Sequence, residues 1–286
     1  MPKHTVEPSA NTNAKQPIKL CDHPILAYFV IAFCTMLIFS VFNAIGYFVF
    51  GQSGTVVDLY NIVSLFPAAF LANLFVNKVF FRGAFDRPFG LDGFADGAKI
   101  FVPVLILDIV FFVFDRVTSA GGQMNDLLHV IAISLTAGIA EEMIFRANVL
   151  PNFMRLKRDY KGMVFSVVFT GVLFGLVHVT NLTSGADFMR TIQQVVTATI
   201  TGLLFAGSYL MSGTILPCIL IHTIHDIINL LFEATTESGA LTGSVTTIGL
   251  IEQVIFSAVE LGLAIWCLRP AAFDKIRAIW DKKWNM

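Results

Sequence analysis

Three short groups of polar residues stand inside otherwise apolar stretches of this chain. They are Glu141, Glu142 and Arg146 in the first group, Phe174 and His178 in the second, and His222, His225, Asp226 and Asn229 in the third. A charged side chain among apolar residues is costly unless it is paired or hydrogen-bonded. Each group therefore needs a structural or a chemical reason.

Helical spacing predicts which of these side chains face each other. Glu142 and Arg146 are four residues apart, which suits an ion pair within one helix. Glu141 then lies about 100° around the same helix and is free to face another element. His222 and Asp226 also share one helical face.

A second spacing concerns the helix that carries His178. Gly171, Gly175 and His178 lie on one face, and two glycines four residues apart let another helix backbone approach closely. We therefore expect His178 to point into the interior of the protein.

These residue types suit the hydrolysis of a peptide bond. A carboxylate and a neighbouring histidine can take a proton from water, while a second histidine with an amide or carboxyl group binds the carbonyl oxygen. Glu141, His178 and His222 are also a possible ligand set for catalytic zinc, which lowers the pKa of bound water to about 7. Residue types alone leave both mechanisms open.

The surrounding sequence predicts that these groups lie in a lipid bilayer. Hydrophobic residues make up 56% of the 286 residues, charged residues only 14%, and the mean hydropathy is +0.74. Crossing the hydrocarbon takes roughly 20 apolar residues. Runs of this kind recur near 25–50, 56–77, 98–114, 127–149, 163–181, 191–211, 214–233 and 247–268. We predict an all-α, polytopic membrane bundle of about eight transmembrane helices over residues 25–268.

The basic residues predict the orientation of this bundle. They are concentrated before the first span, between spans two and three, between spans four and five, and after the last span. The positive-inside rule places these segments, and so both termini, in the cytoplasm. Residues 1–24 read as a disordered cytoplasmic tail, and residues 269–286 as a cytoplasmic or interfacial tail. The expected location is the plasma membrane of a bacterium.

Composition also excludes some partners. The net charge of −1 offers no basic field for nucleic acid, so the expected partners are membrane lipid and a peptide substrate. The four cysteines are widely spaced without a CxxC motif, which predicts neither a disulfide framework nor a structural zinc site.

The three groups together resemble the CAAX-protease and bacteriocin-processing (CPBP) family of intramembrane endopeptidases, which includes the type II CAAX prenyl endopeptidases. The motifs are carried by three separate spans in the same order as in that family. They read Glu141-Glu142-xxx-Arg146, Phe174-xxx-His178 and His222-xxx-Asp226.

The resemblance implies roles for these residues. Glu141 is implied to be the general base, helped by His178, while His222 and Asp226 support the oxyanion. The resemblance also implies that Arg146 is structural. Beside it, Glu142, Phe174, His225 and Asn229 are expected to be structural or to position the catalytic residues, Glu142 through its pair with Arg146 and His225 and Asn229 because they lie near the face of His222 and Asp226. No metal cofactor is favoured, since the resemblance leans towards a metal-free glutamate mechanism. Eukaryotic members of the family cleave prenylated CAAX tails, and bacterial members are linked to peptide processing and bacteriocin self-immunity.

The third motif leaves one departure and one alternative. Many family members have Asn where Asp226 stands, and a carboxylate cannot donate a hydrogen bond to an oxyanion unless it is protonated. His225 and Asn229 fit the same motif one turn along, although the preceding Pro217 favours His222.

We therefore predict an intramembrane endopeptidase that cleaves membrane-associated peptides or prenylated proteins in a cavity open to the cytoplasm. The rivals are a proton-coupled transporter, with Glu141 and the histidines relaying protons, and a catalytically silent immunity or scaffold protein. Other ionisable residues in or near the spans have no partner at a spacing that would place both side chains on one helical face. They are predicted to be packing or boundary residues. They are Asp108, His129, Glu252 and Glu260.

Depth along the predicted spans raises a conflict. At about 1.5 Å per residue, His178 lies roughly 10 Å deeper than Glu141 and His222. The conflict would disappear if residues 151–160 formed an interfacial segment and span five began later than Lys161.

Overall fold

The computed structural model describes residues 16–51, 53–118, 124–232 and 246–284, and within these ranges it contains helices but no strand. The predicted all-α bundle is thereby confirmed. Its helices are α1 (Pro24–Phe50), α2 (Thr55–Val79), α3 (Phe94–Ile100), α4 (Val102–Thr118), α5 (Leu127–Glu142), α6 (Leu150–Leu156), α7 (Tyr160–Val177), α8 (Phe188–Ser212), α9 (Leu216–Leu230), α10 (Thr247–Cys267) and α11 (Phe273–Lys283).

Six helical stretches are long and apolar enough to cross a membrane on their own. They include the 30-residue stretch Leu127–Leu156, in which a π-helix (Met143–Val149) joins α5 to α6. A seventh candidate is the pair α3 and α4, bent by 46° at its break. Each of the eight predicted apolar runs contains a helix within the described residues, but the third is bent and the seventh holds only the 15-residue α9.

The bend between α3 and α4 has a local cause. Pro103 stands in the first turn of α4, where it has no N–H to donate to the carbonyl of Lys99 and its ring would clash with that turn. The continuous run predicted near 98–114 therefore becomes two helices.

The turn between α8 and α9 lies inside the protein and not at its surface. Gly213 ends α8 with a φ of 74°, a left-handed conformation that favours glycine. The Thr214 hydroxyl donates to the carbonyl of Gly90 (2.8 Å), and the Ile215 amide donates to the carbonyl of Pro88 (3.1 Å). We call residues 80–93, the turn 213–215 and α11 together the floor of the bundle.

Helix α11 packs against the protein. Trp280 and Trp284 are each 4% exposed and pack on the ring of Phe85, and the Trp280 indole donates to the carbonyl of Leu210. The tryptophans of the predicted interfacial or solvated tail are therefore part of the floor, whereas residues 285–286 lie outside the described ranges.

The N-terminal segment also joins this end of the bundle. The Ile18 amide donates to the carbonyl of Phe80, and Cys21 is buried in a 3₁₀ turn, Lys19–Asp22. Residues 16–23 are thus packed against the helices, while the rest of the predicted disordered tail, residues 1–15, lies outside the described part of the chain.

The two glycines of α7 lie against α8. A Cβ on Gly175 would come within 2.5 Å of the Val195 carbonyl oxygen, and one on Gly171 would come within 3.2 Å of the Leu203 amide nitrogen. Helices α7 and α8 therefore approach closely, and this holds the C-terminal end of α7, where His178 follows, against the bundle.

Substituting alanine at Gly175 is expected to separate these helices. Overpacking of this kind typically costs about 1–3 kcal/mol, so thermal unfolding in detergent should occur at a lower temperature. The matched control is Gly262→Ala in α10, where nothing lies within 4 Å of an added Cβ. Equal melting temperatures for the two variants would contradict close α7–α8 packing.

Candidate active site

A buried ion pair lies where α5 passes into the π-helix. The Arg146 Nη1 atom is 3.0 Å from Glu142 Oε1, and the two side chains are 2% and 0% exposed. Arg146 also donates to the carbonyl of Gly202, and its guanidinium lies 4.3 Å from the centre of the Phe174 ring. The structure thus brings together the pair that the spacing predicts.

His222 continues this buried chain from α9. Its Nδ1 atom lies 3.0 Å from Glu142 Oε1, and because a carboxylate only accepts, Nδ1 is the donor. Its Nε2 atom faces two further carboxylates, Glu141 Oε2 at 3.8 Å and Asp226 Oδ2 at 3.5 Å. Arg146, Glu142 and His222 therefore hold one imidazole nitrogen next to Glu141.

His178 follows the last residue of α7 and begins the 3₁₀ helix His178–Ser184. Its Nδ1 atom is 3.0 Å from the carbonyl oxygen of Phe174. A carbonyl cannot donate, so Nδ1 carries a proton, and in the neutral ring Nε2 is left as an acceptor. The Phe174 ring stands between the histidines, with centroids 5.3 Å from His178 and 6.1 Å from His222.

One cavity of about 420 Å³ unites the four predicted catalytic side chains: Glu141, His178, His222 and Asp226 all line it. The Glu141 side chain is 27% exposed, and its Oε2 atom makes no hydrogen bond to the protein. That atom is itself buried, 3.8 Å from His222 Nε2, so it is the exposed part of the Glu141 side chain that faces the cavity.

The alternative third motif lies one helical turn further along the same cavity. His225 Nδ1 lies 2.8 Å from Asp108 Oδ1, and the Asn229 amide donates to the carbonyl of His225. The contacts of His225 are therefore with Asp108, whereas His222 is the histidine of α9 that lies beside Glu141.

Several ionisable residues for which the sequence spacing predicts no hydrogen-bond or ion-pair partner have one in the structure. Asp108 on α4 is 4% exposed and pairs with His225 on α9. His129 lies 3.1 Å from Asp58, and Glu260 accepts a hydrogen bond from Thr201. Each partner comes from a different helix, so no spacing could reveal it. The only signal in the sequence was the cost of an unpaired charge in a span.

Two of these residues also belong to the cavity. Asp108 and Glu252 line it, so sequence reasoning missed part of its wall by treating them as packing or boundary residues.

The sequence places His178 deeper in the membrane than Glu141 and His222, and a later start of span five was the expected solution. The structure removes this difference in depth in another way. Helix α7 begins at Tyr160, so the predicted later start is wrong. Span four instead continues to Leu156, which puts Glu141 about 22 Å along the helix from that end, comparable with about 27 Å between Tyr160 and His178. His222 reaches the same level because α9 starts on the floor of the bundle and not at the membrane surface.

A zinc mechanism would need Glu141, His178 and His222 close enough together to bind one metal ion. Within the described ranges, no three His, Cys, Asp or Glu residues are grouped closely enough to hold a metal ion. Glu141, His178 and His222 as they lie do not fit a three-ligand zinc site, so the chemistry considered below uses the side chains alone.

Comparison with known proteins agrees with the motifs. Residues 123–228 match the family model described as Type II CAAX prenyl endopeptidase Rce1-like. The match includes the three motifs from Glu141 to Asp226 and ends one residue before Asn229, although no curated protein and no solved structure gives a significant match. Over this segment the chain is therefore similar to the type II CAAX prenyl endopeptidase Rce1-like family, which confirms the resemblance predicted from the motifs.

Proposed function

We propose that this chain is an intramembrane endopeptidase that hydrolyses membrane-associated peptides with a water molecule activated by Glu141. The observation that carries the proposal is the convergence of Glu141, His178, His222 and Asp226 on one cavity inside the bundle. The family match supports an intramembrane endopeptidase in general. The glutamate mechanism and the substrate are the parts that need experiment.

The first step would be attack by water on the scissile carbonyl. A water molecule that donates to Glu141 and to His178 Nε2 is held by two acceptors. Transfer of one proton to Glu141 leaves a hydroxide, whose oxygen bonds to the carbonyl carbon while the carbonyl electron pair moves onto its oxygen.

The second step would collapse the tetrahedral intermediate. His222 Nε2 is the donor best placed for the oxyanion, and it can donate while Nδ1 also donates to Glu142 only when the ring is doubly protonated. Glu141 then passes its proton to the leaving nitrogen as the C–N bond breaks. These transfers return Glu141 to its starting state.

We assign a positioning role to Asp226. Its carboxylate lies 3.5 Å from His222 Nε2 and, when ionised, has no proton to offer an oxyanion. It can instead accept from Nε2–H and hold the imidazole in place until the substrate carbonyl competes for that proton.

The proposal is tested by incubating the purified protein with peptides that do or do not carry a C-terminal prenylcysteine, in the presence and absence of a chelator. We expect cleavage of at least one class, with no loss of rate under chelation. Cleavage that stops with chelator and returns with zinc would contradict the glutamate mechanism. Proton-driven uptake into proteoliposomes without any cleavage would favour the transporter, and neither activity would favour the silent scaffold.

A further inference from the structure

The two ends of the bundle differ strongly in charge. The α6–α7 turn, the end of α10 and α11 lie at the same end, since Arg158 pairs with Asp281 of α11 and the Tyr160 hydroxyl donates to the carbonyl of Leu268 after α10. Within the described ranges, every Lys and Arg lies at this end except Arg146 inside the bundle and Arg116 and Arg190 at the opposite end. The positive-inside rule therefore makes the basic end cytoplasmic.

The cavity extends away from this basic end. Helix α7 starts there at Tyr160, and His178 lies beyond its last turn, about 27 Å away. From the four candidate catalytic residues outward, the cavity is lined by polar residues from the far ends of several helices. Six of them are Arg116, Asn181, Arg190, Gln194, Glu252 and Gln253.

Aromatic side chains fill the space between His222 and the basic end. The ring of Phe205 packs on His222 (centroids 5.6 Å apart) and on Phe101 (5.2 Å), and the ring of Tyr209 packs on Trp280 of α11 (5.2 Å). Phe205 and Tyr209 are buried. These rings and the floor beneath them thus separate the active-site residues from the cytoplasm.

From this geometry we infer that the active site takes its substrate from the non-cytoplasmic face of the membrane. The inference rests on the proposed function and departs from the predicted opening to the cytoplasm. An active site with this opening would cleave membrane-attached peptides whose scissile bond lies on the non-cytoplasmic side. Segments exposed there after transport across the bilayer are peptides of this kind.

The lining of the outer cavity suits such a peptide. Side-chain amides form two pairs there, Asn181 with Gln194 and Gln193 with Gln253. An amide both donates and accepts, as the backbone of an extended peptide does. Apolar side chains in the same wall, including Phe111 and Phe256, offer contact for the side chains of the peptide.

The test measures which side of the membrane reaches the cavity. Gln253→Cys places a thiol in the cavity wall, and its matched control, Lys275→Cys, places one on the exposed face of α11 at the basic end. Spheroplasts expressing each variant are treated with a charged, membrane-impermeant maleimide, and labelling is compared with the unsubstituted chain, three of whose four cysteines are buried.

We expect the Gln253→Cys variant to be labelled in intact spheroplasts and the Lys275→Cys variant only after permeabilisation. Labelling of the control from outside, or of the cavity thiol only after permeabilisation, would overturn the inference. Glu252→Cys is a second cavity variant in case Gln253→Cys does not fold.

The labelling experiment tests the sidedness of the cavity independently of the proposed function, because labelling needs no substrate. If the enzyme assignment is wrong, the labelling pattern stands while no peptide is cleaved. If only the sidedness is wrong, the pattern reverses while solubilised protein still cleaves peptides.

Discussion

Replacing Glu141 with glutamine is expected to abolish peptide hydrolysis while the protein remains folded. Gln keeps the size of the side chain but cannot accept a proton from water. Loss of a general base typically costs about 10²–10⁴-fold in rate, so a bulk assay would record no turnover. The Glu141 Oε2 atom makes no hydrogen bond to the protein and lies 3.8 Å from His222 Nε2, so the change to Gln breaks no hydrogen bond of this atom and should leave the melting temperature near that of the unsubstituted protein.

The matched control is the neighbouring Glu142→Gln. This change weakens the pair with Arg146 but keeps an oxygen that accepts from His222 Nδ1, so its main effect should be lower stability with residual turnover. A Glu141→Gln protein that cleaves at nearly the original rate, while His178→Ala and His222→Ala are inactive, would exclude Glu141 as the base. A metal held by the histidines would then be the better explanation.

Replacing Arg146 with alanine is expected to lower stability strongly. The change removes the Arg146 guanidinium from Glu142, which is fully buried and keeps only His222 Nδ1 as a donor, and breaking such a buried pair typically costs about 3–5 kcal/mol. It also removes the guanidinium from the face of Phe174. We expect a low yield of folded protein and a large fall in the melting temperature.

A double variant separates the stranded charge from the lost packing. Glu142→Gln combined with Arg146→Met removes both charges and keeps side chains of similar size, so it should be more stable than Arg146→Met alone. Normal yield and melting temperature for Arg146→Ala, together with abolished turnover, would instead assign Arg146 a direct role in the reaction.

The sequence by itself determined those features that depend on one helix at a time. Apolar runs identify where the helices lie because the bilayer demands about 20 such residues. The four-residue spacing of Glu142 and Arg146 is enough to predict their pairing, because both side chains project from one helical face. The GxxxG spacing of α7 similarly indicated a close helix contact, and the structure places α8 there.

Only the tertiary structure decided which residues meet between helices. The hydrogen bond from His222 to Glu142 and the pairing of Asp108 with His225 join residues far apart in the chain. Neither contact can be predicted from helical spacing, because the two residues lie on different helices. The choice of His222 over His225 beside Glu141 likewise depends on how α9 is rotated against α5.

The level and the opening of the site also depend on tertiary packing. The apolar run near 214–233 predicts a full span, but α9 is only 15 residues long and begins on the floor formed by residues 80–93, the turn 213–215 and α11. Because the same floor closes the basic end, the cavity opens at the other. Sequence periodicity reports which face of a helix is apolar, whereas depth and access are set by the segments that cover the helix ends.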